Sequence, residues 1–155
     1  MAEPRPTIEE RLQRLEDVEE IRRLKVCYAE LCDEGFDPDA LVALFTPDGV
    51  WDAGEFGRFV GPDEMRGYWT ETARVTSFAL HYMSNHVVHV QPGGGEASGR
   101  CYLLGTATRE GQAYWMAVRY QERYRKVDGS WLFAEMKLLP AFMTPYEHSW
   151  AALLQ

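Results

Sequence analysis

The stretch LHYMSNHVVHV, residues 80–90, is where the chain changes character. Before it, apolar residues recur at three- and four-residue steps, the spacing of helices that pack by one face. From it onward come four strand-like runs, residues 80–90, 96–107, 112–125 and 131–139. The connections between them, QPGGGE, the segment around REGQ, and KVDGS, are rich in turn residues. Strands joined by such short turns pair antiparallel. Helices followed by a meander imply an α+β fold in which the helices cover one face of a curved sheet.

Upstream, Thr7 and Glu10 have the spacing of a capping box, and Ile8, Leu12, Leu15, Val18, Ile21, Leu24, Tyr28 and Leu31 form one apolar face. A long amphipathic helix follows, with a break expected near Asp17, where DVEE suits a second cap. Gly35 is placed to end it in a left-handed C-terminal turn. Asp37-Pro38 starts a short helix through Leu41, Leu44 and Phe45. TPDGVW reads as a turn and strand, residues 57–60 as another strand, and GPDE as the start of a third helix carrying Met65, Tyr68, Trp69 and Thr72.

A chain of 155 residues fits one domain, residues 1–155, around one core. The net charge of -8, with no basic stripe, argues against nucleic acid. The N-terminus MAEPRPTIEERLQ lacks an apolar signal core, and no run approaches the ~18 apolar residues of a membrane span. No membrane partner and a cytoplasmic location are therefore expected. Cys27, Cys32 and Cys101 are odd in number and lack zinc-ligand spacing, which leaves them as small apolar thiols. An aromatic share of 13% exceeds what packing alone requires and suits a pocket for an apolar molecule.

Three of the four histidines lie in residues 81–90, which raises the question of a metal. In a regular strand His86 faces away from His81 and His89, and those two, eight residues apart, are separated by roughly 26 Å. No metal site is expected. His81, at the strand's start with Met83 and Asn85 on its face, is the one placed to meet the helices. The other chemically suggestive segment is CYAELCDEGFD, residues 27–37, which puts carboxylates at a helix C-terminus, where the macrodipole disfavours them. Asp33, beside Leu31 and Cys32, is the candidate to turn inward, and a buried carboxylate needs a partner such as an imidazole. Tyr28 is about 140° from Asp33 on an ideal helix, so sharing one pocket requires the last turn to unwind.

In order, LEDVEEIRRL, YAELCDEGFDPDALVALFTPDGVW, GPDEM, HYMSNHVV and RYQERYRKVDGSWLF resemble the SnoaL-like branch of the NTF2-like superfamily, over about Ile8 to Tyr146. The resemblance implies a cone-shaped α+β barrel whose N-terminal helices pack on a strongly curved antiparallel sheet around a pocket. Enzymes of that branch, including hexachlorocyclohexane dehydrochlorinase and bile acid 7α-dehydratase, use an Asp at the end of the first helix with a His at the start of the first long strand. Asp33 and His81 occupy those places, and Tyr28 matches a tyrosine five residues before the dehydratase's Asp. There are departures. Scytalone dehydratase has a second pocket histidine on a later strand, and this chain has none between residues 90 and 147. The dehydrochlorinase has an arginine on its last strand, where WLFAEMKLLP offers only Lys137, on a face with Phe133 and Glu135 and opposite Leu132, Ala134, Met136 and Leu138.

The expected activity is a cofactor-independent lyase of dehydratase type, or a related isomerase or cyclase, acting on a small hydrophobic molecule such as a polyketide, steroid or terpenoid. Asp33 orients His81, whose other nitrogen takes a proton, and Tyr28 donates a hydrogen bond to developing charge. Candidate pocket walls are Trp51, Phe59, Trp69, Met83, Tyr114, Tyr120, Phe142 and Met143, with Asn85 a further candidate for orienting substrate. The alternative is a non-catalytic ligand-binding or assembly module. Apolar residues on both faces of the strand at 112–125 suggest a homodimer or higher homo-oligomer.

Overall fold

In the computed structural model, which describes residues 5–153, helix α1 runs unbroken from Ile8 to Asp33. The Thr7 hydroxyl accepts from the Glu10 N–H and the Glu10 carboxylate accepts from the Thr7 N–H, closing the capping box. The break expected at Asp17 does not occur. Its carboxylate is buried instead, accepting from the Trp131 indole at 2.9 Å and from Lys126 at 2.7 Å, so it ties the helix to the sheet rather than capping a new segment. The apolar stripe also begins later than its residues suggest: Ile8, Leu12 and Leu15 are exposed, and the first apolar residue sealed in the core is Ile21.

After α1 come α2 (Pro38–Val42), β1 (Phe45–Asp52), a 3-10 turn, β2 (Arg58–Val60), α3 (Gly61–Val75), and strands β3 (Thr76–Val90), β4 (Glu96–Arg109), β5 (Gln112–Val127) and β6 (Ser130–Pro145). One six-stranded sheet has the order β2-β1-β6-β5-β4-β3. The meander β3 to β6 is antiparallel as the short turns require, but β1 lies parallel to β6, so the sheet is mixed. It is also open, with β2 and β3 as its edges. Among the described residues no helix is long and apolar enough to cross a membrane.

Bulges overturn two readings made from strict alternation. In β3, Ser84 opposes Tyr102 but Val87 opposes Arg100, so the strand holds one residue more than its partner, and Asn85 has φ 53°. The extra residue reverses the parity: His86, Val88 and Val90 join His81 and Met83 on the inner side, and His89 is exposed. In β6, Phe133 opposes Tyr124 but Glu135 opposes Arg123, and Ala134 is the extra residue. Phe133 and Met136 are therefore both buried, while Lys137 is exposed. A third irregularity near Pro140 lets β6 continue past residue 139 to pair with the start of β5.

Candidate active site

α1 keeps helical geometry through Asp33 and then turns sharply, with Gly35 at φ 112° and Phe36 at φ 61°. The Phe36 N–H reaches back to the Leu31 carbonyl at 2.9 Å, closing the end of the helix. This presents the Asp33 side chain to the start of β3. One carboxylate oxygen lies 2.6 Å from His81 Nδ1 and the other accepts the His81 backbone N–H at 3.1 Å. Two contacts to one carboxylate fix the imidazole with its hydrogen on Nδ1. Nε2 has no protein hydrogen-bond partner among the described residues and belongs to the ring that lines a pocket.

The side chain of His81 is 8% exposed and that of Asp33 22%, and Asp33 is not part of the pocket wall. No unwinding of α1 is needed, because the carboxylate stands behind the imidazole while Tyr28 reaches the pocket directly. Burial lowers the His81 pKa below the ordinary histidine value, and the Asp33 hydrogen bond and charge only partly oppose it. The neutral imidazole is therefore favoured at pH 7.

Tyr28 is buried, and its hydroxyl accepts from the Trp51 indole N–H at 3.2 Å. Burial raises the Tyr28 pKa well above its usual value, so it remains a phenol. The pocket between α1, α3 and the inner side of the sheet encloses about 130 Å³. That is close to the ~150 Å³ of an apolar cavity that accepts benzene. Aromatic packing forms one wall: Trp51 lies 4.5 Å from Tyr68 and 6.3 Å from Trp69, centroid to centroid. On the sheet side, Gly105 is the ladder partner of His81, and a Cβ there would lie 2.9 Å from the Leu80 carbonyl and 3.0 Å from Met116. The missing side chain lets the β3 backbone and Met116 pack closely against β4 at the position paired with His81.

Of the walls expected from sequence, Trp51, Trp69, Tyr120, Phe142 and Met143 line the pocket with Tyr28 and His81. Phe59 does not; it stacks behind Tyr68 at 4.6 Å. Met83 packs against the core beyond the pocket, Tyr114 lies outside it near the start of β5, and Asn85 is exposed at the bulge. Sequence reading missed Phe36, whose ring is 6.4 Å from that of His81, and Arg109, Thr72 and Thr76 at one end of the cavity. Phe36 was hidden by the turn after Gly35, and Arg109 by its place at the last position of β4.

A second buried polar group also escaped notice. Lys25 Nζ lies 2.6 Å from Glu122, with both side chains sealed from solvent, and 3.5 Å above the centre of the Tyr120 ring. Tyr124 donates to the same carboxylate, and His86 Nε2 is 3.1 Å from the Tyr124 hydroxyl. Two signals were present in the sequence: Lys25 falls four residues after Ile21 on the apolar face, and Glu122 alternates with Tyr120 and Tyr124. Among the described residues no three His, Cys, Asp or Glu side chains come together as a metal site.

Residues 13–137 match the family model of the SnoaL-like domain. The chain belongs to this SnoaL-like family. Its α+β architecture is NTF2-like, shared with many solved structures. Hexachlorocyclohexane dehydrochlorinase LinA type 2 superposes with a TM-score of 0.80 at 19% identity, over 89% of this chain and 94% of that one. A protein from Novosphingobium aromaticivorans proposed to be an aromatic ring hydroxylase matches at 0.78 and 27%, over 84% and 94%. Another from the same organism, proposed to be a scytalone dehydratase, matches at 0.78 and 23%, over 88% and 92%. Among curated proteins none matches the sequence.

Proposed function

We propose that this SnoaL-like chain, as one domain, is a cofactor-independent lyase of elimination type, or a closely related isomerase or cyclase, acting on a small hydrophobic molecule. The observation that carries this reading is the double hold of Asp33 on His81, which leaves Nε2 of a neutral imidazole in an apolar, aromatic-walled pocket. The dehydrochlorinase likeness and the proposed dehydratase likeness agree with it at the level of fold.

In the reaction, His81 Nε2 takes a proton from a carbon next to a carbonyl or adjacent to the carbon bearing a leaving group. The C–H electron pair becomes the new double bond and the leaving group departs with its own pair. Asp33 stabilises the imidazolium through Nδ1–H, and general-base help of this kind contributes typically 10²- to 10⁴-fold. Tyr28 donates to the oxyanion or to the departing hydroxyl. In an isomerisation the same proton returns to a different carbon. The test is incubation of hydrophobic hydroxy-carbonyl compounds with the protein in deuterated water. Water loss or deuterium uptake that disappears in His81→Gln supports the reading; turnover unaffected by that change rejects it.

We also propose that the outer side of the sheet, where Phe78, Tyr82 and Leu104 are exposed, is covered in a homo-oligomer. Sedimentation of the protein as a monomer at micromolar concentration would refute this.

A further inference from the structure

The pocket is apolar around His81 and polar at one end. Arg109 closes β4 there, and its ladder partner is Thr76, the first residue of β3; both line the cavity together with Thr72. Among the described residues the Arg109 side chain makes no hydrogen bond and no ion pair, although the chain carries 24 acidic residues against 16 basic ones. The Thr76 hydroxyl is buried, on a residue only 9% exposed, and has no hydrogen-bond partner. An unsatisfied buried hydroxyl costs about 1–3 kcal/mol, and a guanidinium held at the edge of an apolar cavity without a carboxylate is similarly unusual. The two deficits lie side by side, and each is relieved by one group: a carboxylate accepting two N–H bonds from Arg109 and the hydroxyl hydrogen of Thr76. The positive charge is already felt in the cavity, where it partly offsets the upward push of burial on the Tyr68 hydroxyl.

We propose that Arg109 and Thr76 form a carboxylate-binding subsite, so that the ligand of this pocket is a small, largely apolar organic acid held by its anionic head. His81 pairs with Gly105 and Arg109 lies four residues further along β4, so about 13 Å of strand separates the two positions. The acid's head therefore binds at one end while its body, of about one ring, lies towards the imidazole. This deepens the proposed elimination, resting on that reading only for what happens to the bound acid. Holding the head fixes which C–H faces Nε2, the orientation on which proximity catalysis depends.

The test measures binding of 3-phenylpropanoate and its neutral analogue 3-phenylpropanamide by calorimetry, in the parent, Arg109→Gln, Arg109→Lys and Thr76→Val, with folding checked by circular dichroism. The parent is expected to prefer the acid by about 10- to 100-fold, the range of a charge-assisted hydrogen-bonded contact. Arg109→Gln should abolish the preference, with a much smaller effect on amide binding than on acid binding. Arg109→Lys should keep part of it, and Thr76→Val should weaken acid binding by a smaller factor. Equal binding of acid and amide, a preference that survives Arg109→Gln, or binding of neither would overturn the subsite. The His81→Gln variant separates the two claims. An acid preference lost in Arg109→Gln, alongside turnover indifferent to His81→Gln, keeps the subsite and discards the elimination reading.

Discussion

Two of the acid–base pairs that join α1 to the sheet differ in where their unused valences point. Lys25 and Glu122 are closed on every side: the ammonium lies over Tyr120 and the carboxylate takes the Tyr124 hydroxyl. Asp33 and His81 are closed on one side only, with the second imidazole nitrogen turned to a cavity. A pair sealed from solvent between a helix and a sheet holds the two elements in register. A pair with one satisfied and one open end has, on the proposed reading, a nitrogen placed to take a proton. The comparison predicts that damage to the first pair appears in stability and damage to the second in turnover.

The largest expected effect is on the open pair. His81→Ala should lower turnover by about 10²- to 10⁴-fold with little change in melting temperature, read from single-turnover kinetics and calorimetry. Equal losses of folding and activity would erase the distinction. Next comes the closed pair: Lys25→Met leaves a carboxylate buried without its cation and should cost about 3–5 kcal/mol in urea unfolding. A near-neutral result would show that the pair contributes no registration. Tyr28→Phe, which removes the donor but keeps the ring, should reduce turnover by roughly 10²-fold. The decrease should fall in kcat more than in KM, and a pure KM effect would make Tyr28 a wall residue.

The pH profile sharpens the contrast further. Burial lowers the His81 pKa, so the base is competent above that value and is lost as pH falls through it. The acid limb of kcat/KM should therefore lie below the ordinary histidine value of about 6.5. A limb above it would mean that the Asp33 charge outweighs burial. The smallest effect is expected at Lys137, exposed on β6, where Lys137→Ala should change both activity and stability by no more than about 0.5 kcal/mol.

The order of elements was legible in the sequence because it depends on local signals: a capping box, a glycine at a helix end, and short turns between alternating runs; the meeting of Asp33 with His81, 48 residues apart, was implied by the resemblance to the SnoaL-like branch. What was not legible depends on irregularities that the two-residue period hides. The bulge at Asn85 reverses the facing of His86, and the extra residue at Ala134 brings Phe133 inside. The parallel pairing of β1 with β6 is a long-range choice that no short segment records. Asp17 shows the same limit: its local context favours a cap, and the side chains of Lys126 and Trp131, more than 100 residues away, decide otherwise. Among the pocket walls, Phe36 was hidden because its position follows from the left-handed turn after α1.

The most direct measurement is the titration of His81 by NMR in the parent and in Asp33→Asn, with folding verified in both. The account predicts a parent in which the Nδ1–H tautomer dominates at neutral pH and a pKa below the ordinary histidine value. In Asp33→Asn the pKa should fall further, because the charge that favours the imidazolium is gone and a neutral amide oxygen is a weaker acceptor than a carboxylate. A His81 that titrates identically in both proteins would contradict the coupling on which the proposed chemistry rests.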